Sequence, residues 1–154
     1  MTSQTIDSKA MLHNNVQVPR FGLGLFQNTT PEDLKKSFHT AWETGYRLFD
    51  TASVYRNEKI LGQILRDAEI DRQALFLTSK VWNSNQGFES TLKAFRISLK
   101  DLGVSYLDLY LVHWPVNEKF VETWKALEQL YTDGYVRAIG VSNFLRHHLD
   151  VLLD

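Results

Sequence analysis

Short apolar runs alternate with longer stretches of helical periodicity along the 154-residue sequence. Apolar runs of strand length end near residues 26, 50, 80, 113 and 142, and after each of them apolar residues recur at helical spacing. The last four run ends lie roughly 30 residues apart, a spacing typical of βαβ units in a parallel sheet. The pattern therefore predicts an α/β chain in which helices alternate with parallel strands.

Capping residues mark several ends of the predicted helices. Thr30 precedes Pro31, and the pair supplies an N-cap and a proline at the first helical position. Gly45, Gly103 and Gly134 follow periodic stretches, where glycine commonly ends a helix. We therefore predict one helix start and three helix ends at these residues.

The faces of the later helices follow from the same periodicity. The fourth helix is predicted to pack on the core through an apolar side, which is formed by Val121, Trp124, Leu127 and Tyr131. A fifth helix is predicted to begin in the apolar stripe of Leu145, Leu149 and Leu152.

Two short apolar runs, at residues 11–13 and 16–18, precede the first βα unit. Asn14 and Asn15 join them, and asparagine tolerates the positive φ of a tight turn, so we expect a small N-terminal β-hairpin. The five strands that follow fit either an open doubly wound sheet or part of an eight-stranded barrel. The repeat length alone does not distinguish these two architectures.

The composition favours one globular domain and excludes several classes of function. Hydrophobic residues make up 44% of the chain, enough for a core, and 17 Lys and Arg against 18 Asp and Glu leave a net charge of −1 without long charged runs. This balance gives no electrostatic footprint for nucleic acid, and the lack of cysteine excludes a disulfide framework. With neither a signal peptide nor an apolar run of membrane-spanning length, residues 1–154 are expected to form a single cytoplasmic domain.

Polar side chains stand at the carboxyl ends of the predicted strands. Asp50, Lys80 and His113 end three apolar runs, and Ser142 and Asn143 follow another. Ligands of parallel α/β folds bind at the carboxyl ends of the strands, where a shared site would partner these otherwise costly groups. Taken singly, Asp50 and Lys80 could form a structural ion pair, and His113 could be a core histidine. The convergence of four strand ends favours a functional site.

Competing motifs are incomplete. Gly22 and Gly24 lack the third glycine of a dinucleotide-binding fingerprint. Phe144 stands where the nucleophile elbow of serine hydrolases needs its second glycine. His147 and His148 are adjacent on a predicted helix and cannot face one ion, so we expect no metal site.

Four segments resemble, in order, motifs of the aldo-keto reductases. They read GYRLFDTASVYRNE at residues 45–58, LTSKVWN at 77–83, LVHWP at 111–115 and IGVSNF at 139–144. The first is similar to the signature around the family's catalytic Asp and Tyr, and the resemblance covers essentially the whole chain from residue 11. It implies a (β/α)8 TIM barrel and an oxidoreductase that reduces aldehydes and ketones to alcohols by hydride transfer from NADPH.

The resemblance also implies a role for each of four residues. Tyr55 is expected to donate the proton to the carbonyl oxygen, Lys80 to stabilise the phenolate, Asp50 to hold Lys80, and His113 to orient the carbonyl. A phenol is a weak acid at neutral pH, and a nearby ammonium favours loss of its proton, so elementary electrostatics supports the pairing of Tyr55 with Lys80.

Further positions match family contacts to the cofactor and the substrate. The residues implied to contact NADPH or NADP+ are Asp50, Ser142, Asn143, Gly24 and Leu25. The residues implied to line the substrate pocket are Trp114, Trp82 and Phe26, of which Trp82 fits a core or loop position equally well. Relatives often carry Thr or Val in place of Leu25 and Trp in place of Phe26.

A complete barrel of this kind needs eight strands and about 250 residues, whereas the sequence ends within the predicted fifth helix. We therefore expect about five βα units plus the hairpin, the N-terminal portion of a barrel, with catalysis conditional on the other units. The expected partner is a small carbonyl compound, with no nucleic acid and no membrane, and open sheet edges would favour self-association. The alternative is a non-enzymatic half-barrel that acts as an assembly or interaction module.

Overall fold

The computed structural model describes residues 5–153. The strands in this range are β1 (Lys9–Met11), β2 (Gln17–Pro19), β3 (Gly22–Gly24), β4 (Leu48–Asp50), β5 (Phe76–Val81), β6 (Leu107–Val112) and β7 (Val136–Val141). The α-helices are α1 (Pro31–Glu43), α2 (Glu58–Asp67), α3 (Phe88–Leu102), α4 (Phe120–Thr132) and α5 (Arg146–Leu153).

Strands β3 to β7 form one five-stranded parallel sheet whose order follows the chain. A doubly wound sheet reverses its strand order at a switch point, whereas strands added in chain order are those of a barrel. Helices α1 to α4 lie in the connections between consecutive strands. The predicted alternation of strand and helix is confirmed, and the strand order favours the barrel over the open sheet.

The predicted N-terminal hairpin is also present, with its strands displaced from the turn. β1 pairs antiparallel with β2, and the amide of Leu12 donates to the carbonyl of Val16 at 2.9 Å. Asn15 adopts a φ of 64°, the positive value that the sequence predicted. The two strands lie further from the turn than the predicted ranges, residues 11–13 and 16–18, because the turn itself takes up residues 12–16.

The predicted helix ends agree with the observed caps. The hydroxyl oxygen of Thr30 accepts a hydrogen bond from the amide of Asp33 at 3.1 Å, which satisfies one of the free donors at the start of α1. Gly103 ends α3 in the left-handed region, with φ at 68°, where a side chain would be strained. α1 ends at Glu43 and α4 at Thr132, each two residues before a predicted glycine, Gly45 and Gly134.

Three predicted apolar positions, Tyr131, Leu145 and Leu149, face the solvent. The buried face of α4 consists of Phe120, Thr123, Ala126, Leu127 and Leu130. Tyr131 is 42% exposed, and its hydroxyl accepts a hydrogen bond from the side chain of Asn14 on the hairpin, so the phenol lies on the surface with its polar end bonded. Leu145 precedes α5 and is exposed, and its backbone amide donates to Nδ1 of His148 at 3.0 Å.

A buried carboxylate joins the amino-terminal half of the sheet. Asp108, on β6, is fully buried and receives Arg72 and Arg137 at 2.7 Å each, together with the amide of Leu77 at 2.9 Å. A buried carboxylate is tolerated where hydrogen bonds and opposite charges satisfy it in this way. This network ties β5, β6 and β7 together at the end of the sheet opposite the polar strand ends.

Helices α2 and α3 approach each other most closely at Gly62. A Cβ at this position would collide with the carbonyl oxygen of Asp101 and lie 2.7 Å from that of Leu102. The side chains around this contact, Leu61, Leu65 and Leu102, belong to the buried core between the helices and the sheet. Glycine therefore permits the helix packing that supports β4 and β5 from behind.

Candidate active site

The parallel register brings the polar strand ends to one edge of the sheet. Asp50 is the last residue of β4, Lys80 lies near the end of β5, and His113 directly follows β6. The backbone continues the pairing past the strands, since the amide of His113 donates to the carbonyl of Val81 and that of Ser142 to Val112. The structure thus brings together the four strand ends from which the sequence predicted a site.

Lys80 is the centre of this arrangement. Its side chain is almost fully buried, and its ammonium donates to the carboxylate of Asp50, to the backbone carbonyl of Thr51 at 3.0 Å and to the hydroxyl oxygen of Tyr55 at 3.5 Å. An ammonium has three hydrogens, so each of its donors has a partner. The charge of Lys80 is therefore compensated on one side by Asp50 and directed on the other at Tyr55.

Tyr55 lies in the loop that follows β4, at the end of a 3-10 turn formed by Ser53–Tyr55. Arg56 reverses the chain with a φ of 57°, which returns it towards α2. The phenol ring packs against Phe26, with ring centroids 5.0 Å apart, and against the edge of His113, with centroids 5.7 Å apart. Because Lys80 donates to the hydroxyl oxygen, the phenolic hydrogen is free to be donated elsewhere.

His113 is buried, and burial is the main reason why the pKa of its imidazole is lowered to about 4, with the charge of Lys80 as a second cause. The ring is therefore neutral at neutral pH and carries one N–H. Nδ1 is buried and has no hydrogen-bond partner within residues 5–153. The side chain of Asn143 donates to the backbone carbonyl of His113 at 2.8 Å, which anchors this residue to the end of β7.

Ser142 and Asn143 present complementary polar groups at the same edge. Asn143 is exposed and adopts a φ of 62°, and its amide nitrogen uses both hydrogens, one on His113 and one on the hydroxyl oxygen of Ser142 at 3.0 Å. Within the described chain this leaves the carbonyl oxygen of Asn143 as an acceptor and the hydroxyl hydrogen of Ser142 as a donor. A primary carboxamide, which needs one acceptor and one donor, fits this pair.

Aromatic side chains surround the polar cluster. Phe26 is 63% exposed and Trp114 is 45% exposed, which is unusual for side chains of this size. Trp82 is half-buried against His113, with ring centroids 5.2 Å apart. The side-chain amide of Gln86 donates to the backbone carbonyl of Trp114 at 2.6 Å and so holds its loop. Phe26 packs on the ring of Tyr55, and Trp114 directly follows His113, so the two exposed rings form an apolar rim beside the polar cluster.

The two residues predicted from β3 differ in what they offer a ligand. A Cβ at Gly24 would meet no atom within 4 Å, so this glycine borders open space. Leu25 is fully buried. Its amide donates to the backbone carbonyl of Asp50 at 2.9 Å, and its own carbonyl accepts from the side chain of Asn57 at 2.8 Å. Leu25 therefore packs as a core residue. Its side chain is buried and its amide is already bonded, so neither supports the predicted contact with the cofactor.

Two polar residues at the start of α2 have contacts that the sequence did not reveal. Asn57 is fully buried and bonds to Thr51, Leu25 and Asn28. Glu58 is buried too, and the hydroxyls of Ser79 and Ser98 donate to its two oxygens at 2.6 and 2.9 Å; burial raises the pKa of this carboxyl. The sequence holds one signal of this burial, since both residues stand beside the apolar face of α2.

Two features of the described chain bear on other classes of function. Among residues 5–153, histidine, aspartate and glutamate side chains do not come together in any group of three suited to a metal ion. None of the helices in the described chain has the length and apolar character needed to cross a membrane.

Comparison with known proteins places the chain in a family context. The family model described as "Aldo/keto reductase family" matches residues 20–153. Glyoxal reductase of Bacillus subtilis is 51% identical over 142 residues, which cover 92% of this chain and 51% of that protein.

Solved structures of aldo-keto reductases superpose on this chain. An aldo/keto reductase from Brucella melitensis superposes with a TM-score of 0.90 at 42% identity, over 95% of this chain and 57% of that one. An aldo-keto reductase of Bombyx mori, solved in complex with NADP, gives a TM-score of 0.88 at 30% identity, over 97% of this chain and 55% of that one. The chain spans about half the length of the curated relatives that it matches.

Proposed function

The chain belongs to the aldo/keto reductase family, and on that basis we propose that it forms the active site of an NADPH-dependent reductase of small aldehydes and ketones. The described strands and helices are the βα units of a partial (β/α)8 barrel. The observation that carries the proposal is the contact between Lys80 and the hydroxyl oxygen of Tyr55 at the carboxyl ends of these strands.

Tyr55 is proposed to donate a proton to the carbonyl oxygen of the substrate. Its hydroxyl hydrogen is free, because the hydroxyl oxygen accepts from Lys80 rather than donating to it. Loss of that proton leaves a phenolate beside a buried ammonium. Two unit charges about 4 Å apart interact by about 4 kcal/mol at an effective dielectric near 20, so this attraction is large enough to matter for the barrier. Asp50 compensates the charge of Lys80 and holds its ammonium towards the phenol.

His113 is proposed to orient the carbonyl through a hydrogen bond from Nε2. The imidazole is neutral, and a neutral ring carries its one proton on either nitrogen. Nδ1 is buried without a partner among residues 5–153 in either tautomer, so a proton on Nε2 is the one that we propose a ligand can accept. The Nε2–H then serves as a fixed donor to the same oxygen that receives the proton from Tyr55.

NADPH is the proposed reductant, and it supplies the electron pair and the hydrogen that the carbonyl carbon gains. Ser142 and Asn143 fit its carboxamide, since they offer one free donor and one free acceptor to a group that needs both. Gly24 leaves open space beside Asp50, where a side chain would obstruct a bound ring. The complex of the Bombyx mori relative with NADP supports a cofactor of this type.

The exposed aromatic rim favours small carbonyl substrates with little charge. Phe26 and Trp114 supply apolar surface next to the two proposed donors, Tyr55 and His113. A relative half identical in sequence is named for glyoxal reduction. Glyoxal and methylglyoxal are therefore the first substrates to assay, with a simple aromatic aldehyde as a test of the apolar rim.

The test, on a barrel in which this chain is joined to the remaining βα units, is a fluorescence titration with NADPH followed by measurement of NADPH consumption with each aldehyde. The proposal predicts saturable binding and consumption that depends on the aldehyde. The alternative, a non-enzymatic interaction module, predicts neither. Ser142→Ala together with Asn143→Ala should weaken NADPH binding, whereas Ser84→Ala, at an exposed position outside the carboxamide site, should leave binding unchanged.

A further inference from the structure

We infer that Asn57, through its bond to Thr51, is a positioning residue that fixes the hydroxyl of Tyr55 against Lys80. The inference rests on the proposed function, because it assigns to Asn57 a part in the same reaction. Asn57 touches neither reacting atom. It acts by closing the loop of residues 51–57 that carries Tyr55.

The side chain of Asn57 is fully used. Its carbonyl oxygen accepts from the hydroxyl of Thr51 at 2.6 Å, and its amide donates to the backbone carbonyls of Leu25 and Asn28 at 2.8 and 3.1 Å. Thr51 and Asn57 are the first and last residues of the loop, so their bond joins the two ends. The donors to Leu25 and Asn28 hold the closed loop on the segment after β3.

Thr51 connects this clamp directly to Lys80. Its hydroxyl bonds to Asn57, while its backbone carbonyl accepts from the ammonium of Lys80 at 3.0 Å. The side chain of Ser53 adds a second link, donating to the backbone carbonyl of Lys80 at 3.2 Å. A displacement of the loop therefore changes the separation between the Tyr55 hydroxyl and Lys80.

Burial of these polar groups points to a geometric role. Thr51 and Asn57 are both fully inaccessible to solvent, whereas Tyr55 between them is half-buried at the mouth. Buried polar groups are retained at little cost only when every partner is in place, and such networks define one conformation rather than several. Here the conformation so defined is that of the loop bearing the proposed proton donor.

The most direct variant, Asn57→Ala, removes three hydrogen bonds and endangers folding, so Thr51→Val is the main test. Valine matches threonine in shape and lacks only the donor to Asn57. Thr51→Ser keeps the hydroxyl and serves as the rescue variant. Ser98→Ala is the matched control, since it also removes one buried hydroxyl donor, but its partner Glu58 lies just outside the loop of residues 51–57.

Two readouts separate positioning from general loosening of the fold. Thr51→Val should lower kcat by about 10- to 100-fold with little change in KM, the effect of misplacing a reacting group by up to about 1 Å. The solvent deuterium isotope effect on kcat should increase, because proton donation from a displaced Tyr55 becomes more limiting. Amide hydrogen exchange of residues 51–57, measured without cofactor, should accelerate. Thr51→Ser should recover most of each change, and Ser98→Ala should show none.

The inference is overturned if folded Thr51→Val retains wild-type kcat, isotope effect and loop exchange. It is also overturned if Ser98→Ala loses as much activity as Thr51→Val, since bond loss would then act through overall stability. If the wild-type protein consumes no NADPH with any aldehyde, the proposed function fails and the inference fails with it. Activity in the wild type together with an unaltered Thr51→Val contradicts the inference alone.

Discussion

The hydroxyl oxygen of Tyr55 lies 3.5 Å from the ammonium nitrogen of Lys80, although Tyr55 belongs to the loop after β4 and Lys80 to strand β5. Each is held separately: Lys80 by Asp50 and the carbonyl of Thr51, Tyr55 by its loop and by packing against Phe26 and His113. Their proximity is thus a property of the folded scaffold.

Replacing Lys80 with methionine should remove most of the activity. Methionine keeps the length of the side chain but not the charge that stabilises the phenolate, and it leaves Asp50 without its partner. General acid catalysis is typically worth about 10²- to 10⁴-fold, so kcat for aldehyde reduction should fall by about 100-fold or more. Lys59→Met, at an exposed position on α2, is the control and should retain wild-type kcat. A Lys80→Met protein with more than about a tenth of wild-type activity would show that Lys80 is only structural.

His113 should make the protein less stable as the pH is lowered. Burial, and then the charge of Lys80, lowers the pKa of this imidazole to about 4 in the folded state, whereas an unfolded histidine titrates near pH 6.5. Between these values the unfolded chain binds a proton that the folded chain does not, so the free energy of unfolding decreases as the pH falls through this window. Above the window, the loss of stability caused by His113 is absent.

Urea unfolding at pH values from about 7.5 down to about 4.5 checks this effect. His113→Gln should lose less stability across the window than the wild type, because it has no imidazole to protonate. His147→Gln, which removes an exposed histidine, should follow the wild-type curve. Parallel curves for wild type and His113→Gln would mean that the buried ring does not control acid stability.

Gly62→Ala should destabilise the protein even though alanine is the better helix former. A methyl group there would strike the backbone of α3 at Asp101 and Leu102, and over-packing of this kind costs about 1 to 3 kcal/mol, more than the roughly 1 kcal/mol gained in helix propensity. The urea midpoint should therefore fall. Lys59→Ala, on the exposed side of the same helix, should leave it nearly unchanged. An increase in stability of Gly62→Ala would mean that α2 and α3 can separate at small cost.

The sequence allowed prediction of those features that depend on local pattern or on parallel-sheet geometry. The cap at Thr30, the end of α3 at Gly103 and the meeting of Asp50, Lys80 and His113 follow from residue type and from the fact that parallel strands end at one edge. The roles assigned to these residues came from family resemblance and stay predictions.

Other features depend on contacts between residues far apart in the chain. Tyr131 has helical spacing that suits a buried face, but a hydrogen bond from Asn14, on the hairpin, and its own polar hydroxyl place it at the surface. The clamp made by Asn57 involves carbonyls of Leu25 and Asn28, some 30 residues earlier, whose direction no local pattern encodes. The positions of these backbone acceptors depend on how the loops after β3 and β4 pack against each other in the folded protein.

The measurement that tests the central claim most directly is the rate of aldehyde-dependent NADPH consumption by Tyr55→Phe, with NADPH binding measured in parallel. Phenylalanine keeps the ring that packs against Phe26 and His113 and deletes only the proposed acid. We predict that NADPH affinity stays close to wild type while kcat falls by about 10²-fold or more. Retention of more than about a tenth of wild-type kcat, with normal NADPH binding, would contradict the assignment of Tyr55 as the proton donor.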